Sequence, residues 1–477
     1  MPKIPDRAFS QAEKKPFDAS LPSGIIGFLV GITTSTPSSQ RMRLAPQGHS
    51  VKQTASTVPA PVESASENLR DSTQRWWLAV LLVVAMIFGY AQRGALSPVA
   101  PYMIKELGLS PAIMGILLSA FFWVYSFMQM PAGWLVDRYG VRKSYAIGYA
   151  FWSTIAALTA LANGLVTLIA ARVLLGAGQS VAFPASARAV ANWFPDRERG
   201  TVTGAYLMGV RLGQALVSFA AGYFLAEHGW KFFFVIIGLV PLVWLLPWHL
   251  FLRKWEHRGT PAATTIVKAS APSFTKSLYL FKNRTVFGIF LGFFAYDYVW
   301  YVFLTWLPGY LVLGRGFTPK EMGFYSSVPF LGMSATIMLS GLASDWLIRQ
   351  GWKEIAVRKG FIVAGMAIAC LIVPAGMVQD KMTSVWLLAT SLCGLGLASP
   401  NTWTLTQAVC SKSIVGTVSG IQNFGGNVGG IIAPALTGII ASATQSFILA
   451  LSITGAISVV GILSYLFLIS HDVRQNP

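Results

Sequence analysis

Only a handful of side chains in this sequence combine a charge or a strong hydrogen-bonding group with apolar neighbours on both sides. Arg93 lies in the outer half of a long greasy stretch, and helical spacing puts Tyr90, Arg93 and Ser97 on one face. Arg172, Gly176 and Gln179 form a second such face. Asp297 is the one acid found deep in an apolar run, and Arg211 is another isolated cation. An arginine in mid-membrane costs about 2.5–3.5 kcal/mol on insertion scales, so it faces a cavity or a partner. Its planar guanidinium can hold a carboxylate by two parallel hydrogen bonds. Arg93 therefore reads as an anion grip, or else as half of a structural ion pair.

The elements that must position these groups are membrane helices. Of 477 residues, 54% are hydrophobic and 11% charged, and the mean hydropathy is +0.57. A soluble domain carries about 25% charged residues, so an ordinary water-facing surface is excluded. Twelve apolar stretches are each long enough to cross a roughly 30 Å hydrocarbon core. They show no alternating barrel pattern, which leaves helices. The expected spans are 76–101, 113–135, 143–162, 165–192, 201–226, 231–252, 285–311, 322–343, 357–378, 382–404, 414–441 and 445–469. Residues 1–74, rich in Ser, Pro, Ala and Thr, read as a disordered cytoplasmic segment, with Met42 an alternative start.

The expected organisation is a six-helix bundle over 75–252, a basic cytoplasmic loop over 253–284, a second bundle over 285–470 and a cytoplasmic tail over 471–477. An internal repeat supports the division: Gly133-Trp-Leu-Val-Asp137-Arg138 follows the second span and Gly341-Leu-Ala-Ser-Asp345-Trp346 the eighth. Such two-fold repeats, with a site between them, mark secondary transporters. Of the 36 Lys and Arg, 9 precede the first span, 18 lie in the loops of one side and 4 lie within spans. Loops of the other side hold Lys105, Lys231, Arg315, Lys320 and Lys381. This asymmetry predicts that both termini are cytoplasmic. It accounts for the net charge of +18 without nucleic acid. Cys370, Cys393 and Cys410 match no metal pattern and read as free thiols.

The run Gly133-Trp-Leu-Val-Asp137-Arg138-Tyr-Gly140-Val-Arg142-Lys143 resembles the loop signature of the major facilitator superfamily. Further segments resemble its anion:cation symporter family, which includes bacterial galactonate, glucarate and hexuronate transporters and animal vesicular glutamate transporters. They are Tyr90-Ala-Gln-Arg93, Gly176-Ala-Gly-Gln179-Ser-Val-Ala-Phe183-Pro184, Trp193-Phe-Pro195, Thr305-Trp306-Leu-Pro308 and the run from Asn423 to Pro434. The resemblance implies an all-α fold of twelve transmembrane helices in two pseudo-symmetric halves. It further implies uptake of a small organic anion, such as a sugar acid, by alternating access coupled to protons or another cation.

By the same resemblance Arg93 grips the substrate carboxylate, and Tyr90, Tyr125, Gln179, Thr402, Trp403 and Asn423 complete the substrate site. Tyr125 alternatively packs as an aromatic beside Trp123, Phe127 and Gln129. Gln92 and Gln179 occupy positions where the family usually carries an aspartate and a glutamate. An amide cannot titrate, so the usual proton route is in doubt, and an uncoupled carrier is the alternative. The amides would then bond substrate hydroxyls or simply pack. Asp297 and Arg172 enter as further coupling candidates, Asp297 either taking over coupling or balancing Arg93 or Arg211. Arg211 stands one position after the family's usual glutamine and would add a second cation for a dicarboxylate or pair with Asp297. Arg188 is expected to snorkel to water. Asp137, Arg138, Arg142 and Asp345 are the expected gating cluster, bridging the halves. No cofactor and no metal are expected, and the partners are the organic anion, protons and the lipid bilayer, with the chain a monomer in an inner membrane. An enzyme would need a clustered acid or histidine set, and a sensor an appended domain; neither is visible in the sequence.

Overall fold

The computed structural model describes residues 75–256, 280–411 and 414–469. The expected disordered segment 1–74 and the tail 471–477 lie outside these residues, as does most of the central loop. Among the described residues there are helices and no strands. The helices run in order as α1 (Arg75–Gly94), α2 (Leu96–Glu106), α3 (Pro111–Tyr139), α4 (Val141–Leu158), α5 (Leu165–Gln179), α6 (Ala182–Trp193), α7 (Asp196–Glu227) and α8 (Gly229–Leu239). They continue as α9 (Leu245–Glu256), α10 (Arg284–Gly309), α11 (Pro319–Arg349), α12 (Glu354–Ala369), α13 (Ile372–Met377), α14 (Lys381–Val409), α15 (Val415–Thr444) and α16 (Ile448–Leu463).

Ten continuous spans among the described residues are long and apolar enough to cross a bilayer, making this a multi-pass membrane protein. Two expected spans, 143–162 and 201–226, are not among the ten. They are nevertheless helical, as α4 and α7. Their lower apolarity has a cause: α4 opens on Arg142 and Lys143, and α7 opens on Asp196 and carries Arg211, Gln214 and Ser218. In two spans the helical hydrogen-bond ladder is interrupted: in the first between α1 and α2, just after Arg93, and in the fourth at Ser180–Val181, ahead of Pro184, whose missing N–H removes a helical hydrogen bond.

Local chemistry sets the helix starts. Ser110 accepts from the Ile113 amide at 3.2 Å ahead of Pro111, and Asp380 accepts from the Thr383 amide at 2.6 Å. Thr318 and Glu321 form a reciprocal capping box, with Pro319 in the first turn. These residues satisfy amides that a helix start leaves without partners.

Glycine brings some helices unusually close. A methyl group at Gly222 of α7 would lie 2.7 Å from Gly323 Cα of α11. One at Gly115 of α3 would lie 2.5 Å from the Pro434 carbonyl oxygen of α15. At the same end, Ser97 Oγ donates to the Thr305 carbonyl at 2.8 Å, tying α2 to α10. Small residues at such crossings let backbones approach closely, which is how helices gain packing energy in lipid.

Candidate functional site

Arg93 lies in the last turn of α1 and is 4% exposed. Its guanidinium carbon stands 4.4 Å from the Phe121 ring centre, 4.6 Å from Tyr125, 4.8 Å from Phe122 and 5.1 Å from Tyr90. Tyr125 follows Phe122 by three residues and Phe121 by four, so one face of α3 supplies most of this aromatic box. A desolvated cation–π contact contributes about 2 kcal/mol, enough to offset much of the cost of placing an arginine there.

Hydrogen bonding around Arg93 is incomplete. Nη1 donates to the Tyr90 hydroxyl at 3.1 Å. Nε and Nη2 are buried without a partner, and the Tyr125 hydroxyl approaches without closing a well-shaped bond. Each unsatisfied buried donor costs about 1–3 kcal/mol. Nε and Nη2 are one of the two pairs through which a guanidinium binds both oxygens of a carboxylate. The open edge of Arg93 is thus shaped for that ligand.

A small pocket adjoins this edge, lined by Tyr90, Arg93, Tyr125, Gln179, Phe183 and Trp152 among others. Its free space holds about one water molecule, far less than a six-carbon acid needs. Gln179, which also lines the pocket, donates from Nε2 to the Gly89 carbonyl at 2.8 Å, so its amide oxygen is not used in that bond. Arg172 lies behind, donating to the Arg93 carbonyl at 3.2 Å and standing 5.4 Å from the Phe121 ring.

Across from α1 and α3, α10 contributes one turn carrying Asp297, Trp300 and Tyr301. Tyr301 packs edge-on to Phe122 at 4.5 Å and is within electrostatic reach of Arg93. Asp297 is half-buried, lies against Gly426 of α15, and feels both Arg211 and Arg93. No ion pair to Asp297 occurs among the described residues. Trp403 of α14 packs edge-on to Phe293, one turn before Asp297 on α10, at 5.1 Å. Asn423 of α15 donates to Gln129 of α3 at 3.2 Å, linking the same two helices as Gly115 and Pro434.

The other expected site residues stand elsewhere. Gln92 points away from Arg93: its amide donates to Ser153 Oγ and the Ile237 carbonyl, both at 3.0 Å, and accepts from Trp152 Nε1 at 2.8 Å. Its hydrogen-bonding capacity is used in binding α1 to α4 and α8. Thr402 turns its hydroxyl back to the Ser399 carbonyl at 2.8 Å. The expected gating residues lie at the far end of the bundle. There Asp137 pairs with Arg188 at 3.6 Å, and Asp345 with Arg358 at 2.9 Å. Arg188 reaches water, as expected, and meets an acid there, the two side chains being 40% and 48% exposed. Arg138 rests near the rings of Trp134 and Tyr139, and the Arg142 carbonyl accepts from Trp248. Both ion pairs stay within one repeat of the sequence and do not bridge the two.

The sequence does not single out Phe121, Phe122 or Tyr301: Trp123 and Phe127 stand nearer to Tyr125 along the chain, and nothing in the sequence ties Tyr301 to α3. Those two rings are 37% and 66% exposed and point outward. Helical spacing from Tyr125 selects Phe121 and Phe122 in their place, together with Gln129, which was already named. Nor does the sequence single out Arg358, buried in α12, which bonds Ser344 at 2.9 Å and Asn401 at 3.3 Å as well as Asp345. The three cysteines are free.

The Major Facilitator Superfamily family model matches residues 82–434. The D-galactonate transporter of Escherichia coli O6:H1 (strain CFT073) is 31% identical over 432 residues, covering 87% of this chain and 99% of that protein. The probable galactarate/D-glucarate transporter GarP of Escherichia coli K12 is 30% identical over 440 residues, with coverages of 87% and 99%. Among solved structures, a bacterial homolog of the human lysosomal transporter Spinster, inward-facing and occupied, superposes with a TM-score of 0.69 at 17% identity. It covers 83% of this chain and 97% of that one, and at this identity the likeness speaks for the fold.

Proposed function

The chain belongs to the Major Facilitator Superfamily, and from that membership we propose that it carries a small organic anion, a sugar acid of the galactonate, glucarate or hexuronate kind, into the cell. The observation that carries this reading is the open edge of Arg93, two buried guanidinium nitrogens without partners beside a pocket of aromatic and amide groups. The substrate carboxylate takes Nε and Nη2. The Tyr90 and Tyr125 hydroxyls and the Gln179 amide oxygen meet the polyol nearby, while Trp403 and Asn423 close on it from the other repeat. The pocket is too tight for a sugar acid as it stands, so the two sets of helices, 75–252 and 285–470, rock apart about the site to admit it. The chain sits in the inner membrane with both termini in the cytoplasm, acting as a monomer.

Coupling to a proton gradient falls to Asp297, since Gln92 and Gln179 cannot titrate. The same two amides favour a second reading, uptake without proton coupling. Liposomes containing the purified protein test both. Uptake of labelled D-galactonate should fall at least about tenfold in Arg93→Ala; undiminished uptake would remove Arg93 from the site. Substrate-dependent proton flux supports coupling, and uptake without flux leaves the uncoupled carrier.

A further inference from the structure

The helix α7 carries a second polar face that the reading above leaves unused. Arg211, Gln214 and Ser218 recur at i, i+3 and i+7 on this helix, which puts them in one line. All three hold buried polar atoms with no hydrogen-bond partner: Nη1 of Arg211, both amide atoms of Gln214 and Oγ of Ser218. Gln214 is 0% exposed, and a methyl group on Gly94, the residue after Arg93, would run into its carboxamide. A line of unsatisfied groups costs about 1–3 kcal/mol for each member. It persists where a ligand answers it.

Arg211 is held by an aromatic surface, not by an acid. Its guanidinium carbon stands 3.7 Å from the Trp300 ring centre, which fixes the plane while leaving edge nitrogens free. Trp300 adjoins Tyr301, the α10 residue that faces Arg93, so the two guanidiniums flank a single turn of α10. Asp297, one turn back on α10, feels both guanidiniums, so the two cations border one stretch of α10, where a six-carbon chain with an acid at each end meets both.

Charge points the same way. Arg93, Arg172 and Arg211 place three positive charges in this region against one carboxylate, Asp297, leaving an excess of two. A cargo with two carboxylates would neutralise the site, whereas one with a single carboxylate would leave a buried cation uncompensated.

We propose that Arg211 and Gln214 form a second anion subsite, so that this carrier selects a dicarboxylate, one end on Arg93 and the other on Arg211. The proposal rests on the carboxylate-gripping role given to Arg93 above. Gln214 donates from Nε2 to the far carboxylate and accepts from the adjacent hydroxyl, and Ser218 extends the same row.

Titration calorimetry with galactarate and D-galactonate tests this, because the two match at the four inner carbons and differ in whether the far end is an acid. The wild type should bind galactarate about tenfold or more tightly than galactonate. Arg211→Gln should collapse that ratio to about one, and Arg211→Lys, which keeps the charge without the planar fork, should restore part of it. Equal affinities in the wild type, or a ratio unchanged in Arg211→Gln, would overturn the second subsite. If galactonate binding still depends on Arg93 in that case, the first subsite stands alone. If neither acid binds, both subsites fall.

Discussion

Replacing Asp297 by Asn removes the single negative charge placed among three arginines, and its effect on affinity can be worked from the arrangement. Asp297 lies one helical turn before Tyr301, which faces Arg93, and it feels Arg93 and Arg211 alike. For a substrate carboxylate held by either guanidinium, a separation from Asp297 of about 8 Å sets the scale. At an effective dielectric of about 20, that repulsion is about 2 kcal/mol per carboxylate. Each 1.4 kcal/mol is tenfold, so Asp297→Asn should tighten binding of an acid with one carboxylate, such as D-galactonate, about thirtyfold. Titration calorimetry on the purified variant reads it directly. The coupled reading adds a second expectation: uptake in Asp297→Asn loses its response to a proton gradient although binding improves. Affinity that is unchanged or weaker in Asp297→Asn would refute the electrostatic reasoning, since it would place the carboxylate outside the field of the bound anion.

Other outcomes follow from the packing. Gln92→Ala should lower the melting temperature in detergent, because Trp152 Nε1 and Ser153 lose their shared partner at a cost of about 1–3 kcal/mol, while sugar-acid affinity stays within about twofold; a selective loss of affinity would return Gln92 to the site. Gly222→Leu should force α7 from α11, a strain of about 1–3 kcal/mol or more, seen as reduced thermal stability together with lost uptake; wild-type behaviour would show that the close approach to Gly323 is not required.

The fold was legible in the sequence because lipid imposes one rule on every span, and a run of about twenty apolar residues satisfies it. The rule weakens where a helix mixes apolar and polar faces, which is why α4 and α7 stand out less than the other spans. Arg93 was legible too, since a lone cation in a greasy run always needs an explanation. Its surroundings were not. Whether Gln92 faces Arg93 or Trp152 depends on helix rotation: adjacent residues on a helix point about 100° apart, so a neighbour in sequence is seldom a neighbour in the site. The sequence places Gln92 beside Arg93, and the fold sends it to α4 and α8. The converse error concerns Gln214, whose position one turn after Arg211 was enough to suggest a shared face. Arg358 escaped notice because it lies near the end of a span, where a long side chain usually reaches water. Here Ser344, Asn401 and Asp345 draw it inward instead.

A structure of the protein with a bound sugar acid tests the central claim most directly. The account predicts a carboxylate in the plane of the Arg93 guanidinium, its two oxygens about 2.7–2.9 Å from Nε and Nη2, inside the ring of Tyr90, Phe121, Phe122 and Tyr125. A ligand bound elsewhere in the bundle, with those two nitrogens still without a partner, would contradict it.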